Sequence, residues 1–156
     1  GGRVLDIGCG SGQLFPLLDR RGIASYTGVD FSAAAIEAAA FRDARVGFVV
    51  ASAETFVPPA GVLYDAILFN EVVYFLGDPL AELARYAGFL AKGGVLIVSI
   101  TRARPEGGSF DRKIDAFWTA LDAPPWQTLD EVFVSHKGSG NAWRLRALRP
   151  AAAAAP

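Results

Sequence analysis

Near its beginning the sequence reads Arg3-Val4-Leu5-Asp6-Ile7-Gly8-Cys9-Gly10-Ser11-Gly12. The apolar run before the glycines predicts a short buried strand, and glycines at alternate positions predict a tight turn directly after it. Such a turn lets a ligand approach the backbone closely, and the N–H groups of a helix that follows can bind it. The stretch therefore predicts a ligand site beside a strand. The alternative is a turn that only packs a helix on the strand.

The remainder of the first hundred residues alternates strands with helices. Strands are expected at 25–29, 46–51, 64–69 and 95–100, and helices at 12–20, 33–41 and 78–90. The last of these helices is expected to end at the glycines that follow Lys92. Five short apolar strands linked by helices predict a parallel sheet with helices on both faces, in the strand order 3-2-1-4-5.

The pattern changes after Thr101. An amphipathic helix is expected at 109–121, and a short loop containing glycine joins two expected strands at 132–135 and 142–148. This arrangement predicts an antiparallel hairpin at the edge of the fifth strand. The expected fold class is α/β, a doubly wound sheet of five parallel strands plus a C-terminal antiparallel hairpin.

Composition limits the function classes. The 156 residues allow one domain, expected at 1–149, followed by an Ala-rich tail at 150–156 that we expect to be disordered. Fifteen basic and sixteen acidic residues give a net charge of −1, so a nucleic-acid partner is not expected. One cysteine and one histidine exclude an intrachain disulfide and argue against a metal site.

Location and source are indicated more weakly. The sequence shows neither a signal peptide nor an apolar run of membrane-spanning length, so we expect a cytoplasmic protein without a membrane partner. The excess of Arg over Lys and the abundance of Ala favour a bacterial source. Nothing in the sequence indicates an oligomeric state.

The second strand ends in an acid, Asp30, 22 residues after Gly8. A carboxylate at this place can hold the two ribose hydroxyls of an adenosine-containing ligand. The alternative for Asp30 is a hydrogen-bonded partner of Ser32 at the start of the next helix. The dinucleotide fingerprint G-x-G-x-x-G would require glycine where Gln13 stands, so a nicotinamide-dependent oxidoreductase remains only the alternative function.

Four stretches in order resemble the motifs of class I methyltransferases that use S-adenosylmethionine. They are residues 4–12, 27–32, 64–76 and 90–99. The resemblance covers about residues 2–148 and implies a Rossmann-like fold with S-adenosyl-L-methionine as the cofactor. It also implies transfer of the methyl group to an oxygen or nitrogen atom of a small-molecule acceptor. A non-catalytic module that binds the cofactor and an interaction partner is a further alternative.

The resemblance assigns roles to individual residues. Gly8, Cys9 and Gly10 would lie close to the methionine part of the cofactor, and Asp6 would anchor the turn and face the cofactor's amino group. Asp30 would hold the ribose hydroxyls. Phe31 would lie against the adenine. Ser52 and its neighbour Ala53 stand where the family commonly has an acid that binds the adenine amino group. Asn70 and Glu71 would border the methyl-transfer centre.

Three of the candidate residues have alternative roles. Glu71 is the candidate general base, and its alternative is a hydrogen bond to the cofactor or to loop backbone. Cys9 is expected to be buried rather than reactive. His136 is expected to be an exposed or locally bonded surface residue.

The sequence departs from the family pattern at its start. Family members normally carry helices before the first strand, whereas this sequence begins at that strand, so we expect the acceptor site to be incomplete as given. The loop at 102–108 and the helix after it are expected to supply part of the acceptor wall.

Overall fold

The computed structural model describes residues 1–39, 43–102 and 108–151. Seven strands form one sheet in the order β3-β2-β1-β4-β5-β7-β6. The strands are β1 Gly2–Ile7, β2 Ile23–Asp30, β3 Val46–Val50, β4 Tyr64–Asn70, β5 Leu90–Arg102, β6 Trp126–Ser135 and β7 Ala142–Pro150. The helices are α1 Ala33–Glu37, α2 Pro79–Ala87 and α3 Ser109–Ala120.

The pairing of the strands confirms the expected topology. Strands β1 to β5 pair in parallel, whereas β7 pairs antiparallel with both β5 and β6. The strand order reverses at β1, because β2 lies on one side of it and β4 on the other. At such a reversal the connections leave the carboxyl ends of neighbouring strands in opposite directions and open a crevice between them.

The two faces of the sheet are covered differently. Successive residues of a strand point to opposite faces, and in β1 Leu5 joins one buried cluster whereas Val4 joins another. The larger cluster packs against α2 and α3, represented by Leu83 and Phe117. The smaller cluster packs under the segment that contains Phe15. Helices α2 and α3 therefore pack on the face of the larger cluster, whereas the segment that contains Phe15 packs on the face of the smaller cluster.

That irregular segment corrects one prediction. Residues 12–20 form no α-helix but two 3-10 turns, Phe15–Leu17 and Arg20–Gly22. Pro16 lacks the N–H that a helix would require, and the backbone of Leu18 is extended, with ψ 153°. Phe15 is nevertheless buried, so the apolar spacing predicts burial correctly but not the helix.

Other boundaries differ by smaller amounts. Helix α1 begins as predicted, because Ser32 Oγ accepts a hydrogen bond from the Ala35 N–H at 3.2 Å, but the helix ends at Glu37. The expected end near residue 41 falls at 40–42, outside the described residues. Helix α2 ends at Ala87 and is followed by Gly88, so the later glycines belong to β5 instead.

The hairpin is longer than predicted. Strand β6 begins at Trp126, which pairs with Pro150 at the end of β7. A bulge between Thr128 and Asp130 interrupts the alternation of side chains between the two faces of the sheet. The first part of β6 therefore does not show the alternating apolar pattern by which a strand is predicted from sequence. Strand β7 thus extends one residue beyond the expected domain boundary. Of the tail expected to be disordered at 150–156, residue 150 belongs to β7 and residues 152–156 lie outside the described residues.

The α-helices are short, with 5, 9 and 12 residues. At a rise of about 1.5 Å per residue, each is far shorter than a bilayer core of about 30 Å. In the described ranges no helix is long and apolar enough to cross a membrane.

The start of α2 depends on one side chain. Asp78 Oδ1 accepts a hydrogen bond from the Ala81 N–H at 3.0 Å. We expect Asp78→Ala to lower the free energy of unfolding by about 1 kcal/mol, because that N–H loses its partner. Asp115→Ala in the middle of α3 is the matched control, since the Asp115 side chain is exposed and caps no helix. Denaturant unfolding of both variants measures the difference, and equal losses would contradict the capping role.

Candidate functional site

The glycine turn after β1 is bound to the end of β2. The N–H groups of Gly8 and Cys9 both donate to the carbonyl oxygen of Val29, at 2.8 and 3.1 Å. Gly8 and Gly10 have φ of +71° and +54°, a left-handed conformation that glycine adopts without a steric penalty. The Gly10 N–H donates to Asp30 Oδ2 at 2.9 Å. The predicted turn and the predicted acid are therefore in direct contact.

Asp30 also contacts the start of α1. Its Oδ1 accepts a hydrogen bond from the Ser32 N–H at 2.8 Å, so the alternative role of this acid is present in the structure. Each carboxylate oxygen accepts one N–H here and keeps capacity for a second donor. Because the side chain is only half-buried, Asp30 can serve the turn and still accept hydrogen bonds from a ligand.

A cavity of about 470 Å³ opens beside Asp30. Six of the predicted residues line it: Gly8, Asp30, Phe31, Ser52, Ala53 and Glu71. The Phe31 side chain is 81% exposed, which leaves its ring available to a ligand in this cavity. The lining is otherwise largely aliphatic and includes Val29 and Val72. We call this space the first cavity; its character suits a flat apolar group with a polar edge.

A second cavity, of about 310 Å³, lies on the other side of Gly8. Its lining includes the predicted residues Asp6, Gly8, Cys9, Gly10 and Asn70. Gly8 lines both cavities, so the two adjoin. The structure thus brings all the predicted site residues to two adjoining cavities, with Asp30 in the lining of the first and Asp6 in the lining of the second.

Asp6 is the buried acid of the second cavity. The hydroxyl of Tyr26 donates to Asp6 Oδ2, whereas Oδ1 has no hydrogen-bond partner within the described structure. Burial raises the pKa of Asp6 to about 6, against the opposing effect of the Tyr26 hydrogen bond. A buried carboxylate oxygen without a donor is costly unless a ligand supplies one.

Cys9 is a packing residue. It is buried, and its thiol fills the space above Gly28, where an added Cβ would lie 2.7 Å from the sulfur. Burial, together with the negative charges of Asp6 and Asp30, raises the pKa of Cys9 to about 12. Because the thiolate is the reactive form, this thiol is a poor nucleophile, in line with the expectation.

Glu71 has an unusual backbone, and three donors hold its carboxylate. Its φ is +58°, and its N–H donates to the Ser99 carbonyl oxygen at 2.9 Å. Oε1 accepts from the Ser99 hydroxyl at 3.2 Å, and Oε2 accepts from the Thr101 N–H at 3.0 Å and from the Tyr74 hydroxyl at 3.2 Å. Burial and the neighbouring Glu71 charge raise the pKa of Tyr74 to about 12. Glu71 therefore binds β5 to the 3-10 turn Val73–Phe75 through two side-chain hydroxyls and one backbone N–H of β5.

Sequence reasoning missed the residues that hold the far wall of the first cavity. Arg85 and Tyr86 of α2 both donate to the Ala53 carbonyl oxygen, Tyr86 at 2.7 Å. Arg85 also donates to the Phe56 carbonyl oxygen at 2.7 Å. The partners are about thirty residues apart along the chain. No local pattern could have indicated this contact.

The remaining candidates lie away from the two cavities. His136 is exposed, and its Nδ1 accepts a hydrogen bond from the Ser139 N–H at 3.0 Å, as expected for a locally bonded surface residue. Among the described residues, no group of three His, Cys, Asp or Glu side chains could hold a metal ion. Residues 103–107, expected to form part of an acceptor wall, lie outside the described residues.

Comparison with known proteins adds to this geometry. Residues 1–151 match the family described as methyltransferase domain. The chain is 38% identical over 101 residues to the ubiquinone biosynthesis O-methyltransferase of Caulobacter sp. (strain K31), a match that covers 62% of this chain and only 40% of that protein.

Two solved structures have the same fold. The N-methyltransferase NodS from Bradyrhizobium japonicum, in complex with S-adenosyl-L-homocysteine, has a TM-score of 0.75 at 20% identity, covering 95% of this chain and 77% of that chain. The [4+2]-cyclase SpnF has a TM-score of 0.76 at 19% identity, covering 98% and 76%. Since proteins with such different names share the fold, the reaction must be argued from the site.

The two glycines of the turn should respond differently to substitution. An added Cβ at Gly8 would lie 2.6 Å from Val72 Cγ2, whereas one at Gly10 would meet no atom within 4 Å. Both positions have positive φ, so Gly8→Ala and Gly10→Ala share a backbone penalty of about 1 kcal/mol. We expect Gly8→Ala to cost roughly 1–3 kcal/mol more in unfolding free energy, because Val72 must move. Thermal and denaturant unfolding measure this difference. Equal stabilities would exclude the contact with Val72.

Proposed function

The chain belongs to the methyltransferase domain family, and from this premise we propose that it binds S-adenosyl-L-methionine and transfers the methyl group to an oxygen or nitrogen atom of a small-molecule acceptor. The matched relative named above is an O-methyltransferase, and the structural neighbour is an N-methyltransferase. The matched part of the chain is 40% of that relative's length, so the activity of the whole protein is included in the proposal. The bacterial relative supports a bacterial source for this chain. We also propose a cytoplasmic location.

The observation that carries the proposal is the buried, unpaired carboxylate oxygen of Asp6 in the second cavity, which adjoins the first cavity lined by Asp30. The unpaired Oδ1 of Asp6 suits the ammonium of the cofactor's methionine part, because a charge-assisted hydrogen bond satisfies a buried carboxylate. Asp30 suits the ribose hydroxyls, and the apolar first cavity with Phe31 at its open side suits adenine. The space above Gly10, where a side chain would meet no protein atom, leaves room for the cofactor between them.

The chain's own residues supply positioning. The cofactor, when bound, supplies an electrophilic methyl group on a sulfonium. Methyl transfer is an in-line displacement that depends chiefly on holding the two partners aligned, and the rigid turn on β2 provides one fixed surface. Glu71 keeps the loop after β4 against β5, and so orders the border of the transfer centre. We assign it this role rather than that of a general base, since three donors already occupy its carboxylate.

The alternatives are less well supported. The glycine turn lacks the third glycine of the dinucleotide fingerprint, because Gln13 stands in its place. A module without cofactor binding would have no use for a buried, unpaired carboxylate such as Asp6. A non-catalytic module that binds the cofactor differs from the proposed function only in lacking methyl transfer, so an assay of methyl transfer separates the two.

Calorimetric titration tests the proposal directly. We expect the chain to bind S-adenosylhomocysteine and not NAD. Asp30→Ala should weaken this binding by about 2–3 kcal/mol, through the loss of charge-assisted hydrogen bonds to two hydroxyls. Asp65→Ala is a control, because that exposed acid accepts a hydrogen bond from the Arg3 N–H at the amino ends of β1 and β4, opposite the carboxyl ends where the site lies. Binding of NAD alone, or full affinity in a folded Asp30→Ala variant, would contradict the assignment.

Gly10→Val separates a binding turn from a structural turn. The three-carbon side chain of valine would occupy the space that we assign to the cofactor, so we expect S-adenosylhomocysteine binding to be abolished. The sheet should remain folded with a modest loss of melting temperature, because the turn lies outside the core. Both quantities are measured on the same variant. A large loss of melting temperature with retained affinity would reject the cofactor role of the turn.

A further inference from the structure

The buried pair Tyr26 and Asp6 lies beneath the second cavity. The Tyr26 side chain is completely buried on the same face of the sheet as Asp6, and its ring packs between Phe15 and Phe48, with ring centroids 5.1 and 6.3 Å away. Its hydroxyl is the one donor to the Asp6 side chain among the described residues. Because aromatic packing fixes the ring, the hydroxyl also fixes the orientation of the carboxylate.

The consequence of this contact is asymmetric. Tyr26 occupies Oδ2 and leaves Oδ1 without a partner, on a side chain that lines the second cavity. Burial raises the pKa of Asp6, as does repulsion from Asp30, whereas the Tyr26 hydrogen bond lowers it. Tyr26 itself remains protonated, because burial and the Asp6 charge raise the pKa of its hydroxyl well above the ordinary value.

Neighbouring elements contribute no compensating positive charge to Asp6. Strand β2 contributes Tyr26 and Asp30, the turn contributes Cys9, and β4 places the uncharged Leu68 opposite Asp6 in the sheet. The charges that face this carboxylate are therefore negative or absent among the described residues. The Tyr26 hydrogen bond is what favours the ionised form in the absence of a ligand.

We propose that Tyr26 is a positioning residue for the cofactor, which turns the free oxygen of Asp6 toward the ammonium group of the methionine part and keeps that carboxylate ionised. This inference rests on the proposed function. It concerns a residue outside the motifs that carry the family resemblance. It implies that Tyr26 acts only on ligands with an ammonium group, and only through Asp6.

Two ligands that differ in the amino-acid part provide the test. S-adenosylhomocysteine contains the ammonium together with a carboxylate, whereas 5′-methylthioadenosine contains the same adenosine and sulfur without either group. We expect Tyr26→Phe to weaken binding of S-adenosylhomocysteine about tenfold at pH 5, where the ionised form of Asp6 is the minor form, because the pKa of Asp6 rises further when its donor is removed. Binding of 5′-methylthioadenosine should stay within about twofold of the unchanged chain. Tyr64→Phe, a buried tyrosine of the other cluster, should change neither affinity.

The pH dependence gives a readout that a purely structural role would not move. The ionised carboxylate binds the ammonium, so in the unchanged chain the affinity for S-adenosylhomocysteine should fall as the pH drops through about 6, the pKa of Asp6. Tyr26→Phe should move this midpoint upward by roughly one pH unit, so its deficit shrinks at pH 8. The affinity for 5′-methylthioadenosine should not follow this midpoint.

Asp6→Asn tests the route of the effect. On that background, Tyr26→Phe should cause no further loss of S-adenosylhomocysteine affinity, because the charge through which Tyr26 acts is already absent. If Tyr26→Phe alone fails to fold, the double variant can still be tested, because Asp6→Asn removes the buried charge that Tyr26 would otherwise stabilise. Equal losses for both ligands, an unchanged pH midpoint, or a further loss on the Asp6→Asn background would each overturn the role of Tyr26. If the unchanged chain binds neither ligand, the proposed function itself is wrong.

Discussion

Three N–H donors hold the turn after β1 to the end of β2, and the site depends on this attachment. Two of the donors share the Val29 carbonyl oxygen, and the third binds the Asp30 carboxylate. These bonds fix the turn, in which Gly8 and Gly10 adopt a left-handed backbone conformation. Because both residues are glycines, neither places a side chain on the side of the turn that faces the cavities. Both cavities then open on either side of Gly8, and neither would have this shape if the turn moved away from β2.

Much of this arrangement could be predicted because its signals are local. The strands of the parallel sheet are short apolar runs, and the start of α1 and the acids Asp6 and Asp30 stand at fixed offsets from the glycines. The prediction of a helix at 12–20 is wrong. Apolar spacing indicates which side chains are buried, but here Pro16 prevents the helical backbone conformation. Tyr26 and Arg85 were not predicted, since an aromatic residue in a strand and an arginine on a helix are ordinary by themselves. Their importance arises from contacts across 20 to 32 residues.

The carboxylate of Glu71 has contacts that the sequence could not indicate. Glu71 follows β4 where a general base would be useful, and a sequence pattern cannot show how many donors a side chain meets. In the structure its carboxylate connects β5 with the loop after β4, and its backbone adopts a conformation that is unfavourable for a residue with a side chain. Such a conformation persists only where surrounding bonds impose it, and here the Ser99 carbonyl and hydroxyl do so.

The attachment of Ala53 to α2 has a kinetic consequence. The wall of the first cavity beside Ala53 is not an independent loop, because Arg85 and Tyr86 bind its carbonyl oxygen from the helix. That side of the cavity can widen only if these bonds break or if α2 moves with the wall. A ligand leaving toward α2 would therefore wait for a motion of the helix. Its residence time would depend on how firmly α2 is anchored as well as on its own contacts.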